Sequence, residues 1–140
     1  MAYLIFNGNN LYKIATSDDK AHLNIEDSFY NVKTVSDSDF NNVKQNKKSV
    51  KLSSDTVVYE DLSFNFTAQE NLQSYINEVI THLEYFLQNN SSNSMYSVLE
   101  TYRDLLQSVD ISSISYPLSK SWEEYCVENS ITYYNPLQIP

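Results

Sequence analysis

Glu78 and His82, four residues apart, come nearest in this chain to a pair that could do acid–base chemistry. On a helix, side chains at this spacing share a face, and an imidazole titrates near neutrality, so the pair could pass a proton or briefly hold a cation. The same spacing is the ordinary dress of a solvated helix. A zinc site calls for three or four ligands, and the soft ligands here are His22, His82 and Cys126, no two at a binding spacing. Nucleophilic catalysis would set Cys126 or a serine beside a base. Cys126 falls near Trp122 and Tyr125, where a thiol reads as a small hydrophobe. Glu123 and Glu124 point to different sides of a helix and lie in its first turn, where an acid favours the helix dipole. With Gly8 the sole glycine, no loop of the phosphate-cradling kind can be written. The expectation is a chain with no catalytic residue, no metal, no cofactor and no small-molecule substrate, and so not an enzyme.

The 140 residues suffice for a core that removes roughly two-thirds of the unfolded surface from water, without a disulfide or metal to staple it. Twelve Tyr, six Phe and one Trp argue against disorder in spite of the many Asn and Ser. Poverty in Gly, Ala and Arg beside wealth in Asn, Ile, Lys and Tyr is what AT-rich codons produce, as in low-GC bacteria and their phages. The net charge of −9 is one-sided: residues 1–54 carry seven Lys against six acids, whereas residues 55–140 carry Arg103 and Lys120 against twelve. Nucleic acid needs basic groups to neutralise its phosphates, so it is not an expected partner. The cluster Lys44, Lys47, Lys48 and Lys51 reads as a solvated loop. The first residues have no basic region before a six-residue apolar run, so no signal peptide is read, and no stretch is long enough to span a bilayer.

The elements follow from periodicity and punctuation. Tyr3–Phe6 and Leu11–Ala15, either side of Asn7-Gly8-Asn9-Asn10, predict a β-hairpin. Short strands are expected at His22–Ile25 and Tyr30–Val35, then a helix capped by Ser36 and ending near Lys44, with Phe40 and Val43 on one face. Val50–Leu52 and Thr56–Tyr59 form a second hairpin, and Leu62, Phe64 and Phe66 alternate as a strand would. Thr67-Ala68-Gln69-Glu70 reads as a capping box opening a long helix to about Gln88, with the stripe Leu72, Ile76, Val79, Leu83 and Phe86. Met95, Leu99, Tyr102, Leu106 and Val109 repeat that spacing after a polar turn, so the two helices form an antiparallel hairpin. Tyr116-Pro117 breaks the pattern, and Ser121-Trp122-Glu123-Glu124 opens a short helix to about Glu128. Fold class is therefore α+β, with a β-rich part over residues 1–66 and helical hairpin, third helix and extended arm over 67–140, expected to pack as one domain.

The last stretch, with Tyr133, Tyr134, Pro136, Leu137 and Ile139, is apolar and stiffened by proline. It either packs on its own domain or lies on a neighbour, and these five residues are the candidate partner-binding set. The opening Met-Ala-Tyr-Leu-Ile-Phe-Asn-Gly-Asn-Asn-Leu-Tyr-Lys-Ile-Ala, the segment Ser36-Asp37-Ser38-Asp39-Phe40, and the ending from Ser121-Trp122-Glu123-Glu124-Tyr125-Cys126 to Pro136-Leu137-Gln138-Ile139-Pro140 resemble small uncharacterised proteins of tailed phages, especially T4-like phages of marine bacteria. The resemblance implies a virion protein of the head, neck or tail, present in the host cytoplasm during assembly. Its partners would be other proteins of the assembly, further copies of itself included, and its docking surface the C-terminal half. The alternative is a small acidic regulatory protein or assembly chaperone.

Overall fold

The structure, a computed structural model, describes residues 1–20, 23, 28–62 and 66–140. It consists of two compact units, Met1–Ser63 and Phe64–Ile139. The architecture is α+β, a five-stranded antiparallel sheet followed by helices and a C-terminal arm.

In the first unit, β1 (Ala2–Asn7) and β2 (Asn10–Thr16) form the expected hairpin. Gly8 at φ +62° supplies the positive φ that the turn's first central position demands. β3 (Asn31–Val35) pairs with the other side of β1, and β4 (Lys48–Ser53) with β5 (Thr56–Asp61), giving the order β3-β1-β2-β4-β5. Ser54 and Asp55 both take positive φ in the two-residue turn of that second hairpin, as a type I′ turn requires. β2 meets β4 in a single register pair, Asn10↔Lys51. β1, paired on both edges, is buried on both faces: Leu4, Ile5 and Phe6 are all fully enclosed, and Ile5 packs with Ala15 and Leu23. The basic cluster read as a solvated loop instead runs from the end of a helix at Lys44 into β4, where Lys48 pairs with Asp61 and Lys51 with Glu60 across the strands.

Two helices belong to this unit. α1 (Ser17–Lys20) was not foreseen, although Thr16 and Asp19 make a reciprocal cap in which Thr16 Oγ1 accepts from Asp19 N at 3.3 Å and Asp19 Oδ2 from Thr16 N at 3.4 Å. α2 (Asp37–Lys44) starts at the expected cap, Ser36 accepting from Asp39 N at 3.1 Å, and buries Phe40 and Val43. It ends without a glycine: Asn46 adopts φ +57°, while Lys47 N donates to Asn42 O and Asn46 N to Val43 O, the Schellman pattern. The strand expected at His22–Ile25 lies, Leu23 apart, outside the described residues. Of the strand expected over Leu62–Phe66, residues 63–65 are also outside them, and Phe66 makes an isolated bridge to Leu118.

The second unit is built on α3 (Gln69–Asn89) and α4 (Tyr96–Ser108), whose facing stripes form one core. The stripe Leu72, Ile76, Val79, Leu83 and Phe86 is buried as the spacing predicts, as are Met95, Leu99, Tyr102 and Leu106. One local expectation fails. Thr67 does not cap α3: the cap position is Ala68, which makes no side-chain cap bond, and Thr67 Oγ1 instead donates to Asn71 Oδ1 at 3.1 Å. The helix begins one residue later than the capping-box reading, so its first amides lose that acceptor. Ser36→Ala is accordingly expected to cost about 1 kcal/mol and Thr67→Ala no more than about 0.5 kcal/mol in urea denaturation. Equal costs would return the cap to Thr67.

From α4 the chain passes through a 3₁₀ turn, Ile111–Ser113, and a cis Tyr116–Pro117 bond to α5 (Trp122–Glu128). Ser121 caps α5 as expected, accepting from Glu124 N at 3.1 Å. A second Schellman turn closes it: Ser130 sits at φ +56°, and Ile131 N donates to Cys126 O at 2.8 Å. That turn sends the arm back over its own unit. The arm is extended except for one 3₁₀ turn at Pro136–Gln138, where Asn135 and Gln138 cap each other.

Candidate functional site

The chemistry-bearing side chains of the second unit converge where α5 and the arm meet the helical hairpin. Sequence placed Glu123 in a first turn, on a different side of the helix from Glu124. In the structure it is 1% exposed and accepts a hydrogen bond from the Tyr75 hydroxyl of α3. The signal was there: Glu123 lies three residues before Cys126 and adjoins Trp122, so it sits on the flank of the apolar stripe that docks α5. Trp122 is also enclosed and stacks on Tyr125 at 5.4 Å. Tyr133 of the arm closes the cluster, and Tyr134 meets Tyr102 edge to face at 5.8 Å.

Electrostatics in this cluster run one way. Burial, then the Glu123 carboxylate and the hydrogen bond to it, drives the Tyr75 phenol far above its ordinary value. Burial does the same to Tyr102 against a hydrogen bond with the Tyr134 backbone, and to Tyr133 with help from Glu123 and Cys126. The Cys126 thiol is pushed up to about 12, by burial first and Glu123 second. A nucleophilic cysteine is a thiolate in electropositive surroundings, and Cys126 is held protonated in apolar, acidic ones. A hydrogen bond to a buried carboxylate is worth about 1.5–3 kcal/mol. Tyr75→Phe should therefore lower the stability of the full chain by that amount, while Tyr85→Phe, at a position 72% exposed, should change it by less than about 0.5 kcal/mol. Equal midpoints for the two variants in urea would remove the Tyr75–Glu123 bond from the account.

The other candidates are dispersed. Glu78 and His82 are exposed on α3, and neither lines the cavities described below; His22 lies outside the described residues. Among the described residues, no three of His, Cys, Asp and Glu gather closely enough to hold a metal ion, and no helix is long and apolar enough to cross a membrane. Of the five arm residues singled out for binding, Tyr133 and Ile139 are buried in the core of their own unit, and Tyr134, Pro136 and Leu137 are half-buried. The arm thus packs in cis, the first of the two arrangements open from sequence.

Two concavities flank α4. One, of about 430 Å³, lies beside Val98, Leu105 and Thr132. The other, of about 320 Å³, lies between α3 and the C-terminal end of α4, with Ile76, Ile80 and Val109 below and the amides of Gln73, Asn77 and Gln107 around it. The amides escaped sequence reading because Gln and Asn on a helical hairpin look like ordinary solvated positions.

No family model matches the chain, and no curated protein and no solved structure matches it either.

Proposed function

We propose that this chain is a non-enzymatic structural or docking component of a tailed-phage virion, bound to other proteins of the head, neck or tail through its helical unit. One observation carries the docking half of this reading. Residues 66–139 hold nine acids against Arg103 and Lys120, and both bases are already in ion pairs, with Asp104 and with Glu128. A surface of one sign speeds and orients encounter with a partner of the other. Because the arm is spent on its own core, docking falls to the outer faces of α3, α4 and α5 rather than to a swinging terminus. The virion half rests on the resemblance at both ends of the chain and on the AT-rich composition.

Mass spectrometry of purified virions of the phage encoding this chain is the test, and the chain is expected at stoichiometric copy number. A second reading, an acidic assembly chaperone or regulator, draws on the same charge. It expects the chain in assembly intermediates and not in finished particles. A monomer absent from both, with no partner captured at low salt, would end both readings.

A further inference from the structure

We infer that the cavity between α3 and α4 is a seat for one lysine or arginine side chain from a basic segment of the docking partner. The inference rests on the docking reading above and names the chemistry of its occupant.

The hydrogen bonding of the rim has a direction. Gln73 Nε2 donates to Asn77 Oδ1 at 2.9 Å, and Gln107 Nε2 donates to Glu84 Oε1 at 3.4 Å. These bonds leave the carbonyl oxygens of Gln73 and Gln107 as acceptors and the Asn77 amide nitrogen as a donor, with the Glu84 carboxylate beside Gln107. The Glu84 carboxylate bonded to this rim favours a cationic head over a phosphate or a carboxylate. The floor is aliphatic, from Ile76, Ile80 and Val109. A long basic side chain has this dual character, an apolar stem carrying a cationic head. At about 320 Å³ the space stands at the lower bound for small-ligand pockets, suited to a single side chain.

Charge complementarity points the same way. Glu84 is hydrogen-bonded to the rim, Asp110 stands between the lining residues Val109 and Ile111, and Glu70 lies three residues before Gln73 on α3. The base closest in sequence to the lining of α4, Arg103, is offset by its pair with Asp104 at 3.1 Å. Asp110 also accepts from Ser112 N at 3.1 Å, which fixes its carboxylate at the start of the 3₁₀ turn.

The test uses the full-length, isotope-labelled chain titrated with a tetralysine peptide amide at low salt, with tetraglutamate and n-butylammonium as comparisons. Saturable shifts of the side-chain amide signals of Gln73, Asn77 and Gln107 are expected with tetralysine, at much higher concentration with n-butylammonium, and not with tetraglutamate. Glu84→Gln and Asp110→Asn should each weaken binding about fivefold, the upper range for an exposed charge pair. Asn77→Arg, at an exposed position, places a guanidinium of the chain's own in the rim and should abolish saturation. Glu60→Gln, in the other unit, should leave binding unchanged. Tetralysine binding indifferent to Asn77→Arg and Glu84→Gln, or no saturable shift at all, overturns the seat. Equal binding of n-butylammonium would make it a site for free amines and overturn the partner assignment. If the seat fails while the chain is found in virions, docking stands and uses another surface. If the peptide binds and the chain is absent from every assembly, the docking reading falls and the seat remains.

Discussion

Deletion of residues 131–140 is expected to unfold the helical unit rather than to free it from a partner. The arm contributes Tyr133 and Ile139, 7% and 0% exposed, to the same core as the α3 and α4 stripes. Truncating a buried Ile costs about 2–5 kcal/mol and a buried aromatic about 3–5 kcal/mol. Their joint loss, about 5–10 kcal/mol, rivals the whole stability of a small domain. Deletion also removes the Ile131 amide that closes α5 by donating to Cys126 O at 2.8 Å. Circular dichroism should therefore lose most of its helical signal, and Cys126, fully enclosed in the intact chain, should react with a thiol reagent on mixing. The milder Ile139→Ala should keep the fold and lower the urea midpoint. A deletion variant that stays helical with Cys126 protected would show that the arm is no part of the core.

Alkaline pH should dismantle the same unit by a separate route. Tyr75, Tyr102, Tyr133 and Cys126 are neutral acids whose ionisation burial opposes, so their folded pKa values are raised. The stability they contribute is whole below the unfolded values, 10.0 for the phenols and 9.0 for the thiol. It drains as pH climbs from there towards the folded ones, because the unfolded chain releases these protons first. Each group removes about 1.4 kcal/mol per pH unit in that window, so the four together remove about 5.5 kcal/mol per unit between roughly pH 10 and 12. Urea midpoints measured at rising pH should fall at that rate, and tyrosinate absorbance should appear in the same step as unfolding. Cys126→Ala should remove about a quarter of the slope. Phenols that all titrate near pH 10 while the helices persist would contradict the burial.

Much of the scaffold was legible because it is local. The Asn-Gly turn, the cap at Ser36 and the two apolar stripes each state their structure within a few residues, and each stands where periodicity put it. The failures share a different cause. Whether Thr67 or Ala68 caps α3 turns on a one-residue choice between adjacent starts, and Thr67 finds its partner in the Asn71 side chain instead of an amide. Glu123 was read only as a first-turn acid, and its burial follows because its neighbours Trp122 and Cys126 carry α5 into the core and Tyr75, forty-eight positions away, supplies its donor. No short window contains that pairing. The arm was legible as apolar and stiff but not as to where it lies, because its destination depends on a left-handed turn at Ser130, a residue that seldom announces one.

The narrow join between β2 and β4 bears on the order in which the first unit forms. Each hairpin closes on its own two-residue turn, at Gly8-Asn9 and at Ser54-Asp55, with little loop entropy to overcome. Only one register pair, Asn10↔Lys51, spans the long intervening segment, so neither hairpin waits on the other to gain its ladder. β3 must find β1 across more than twenty residues, and this pairing, less local than either hairpin, is expected to form after both of them.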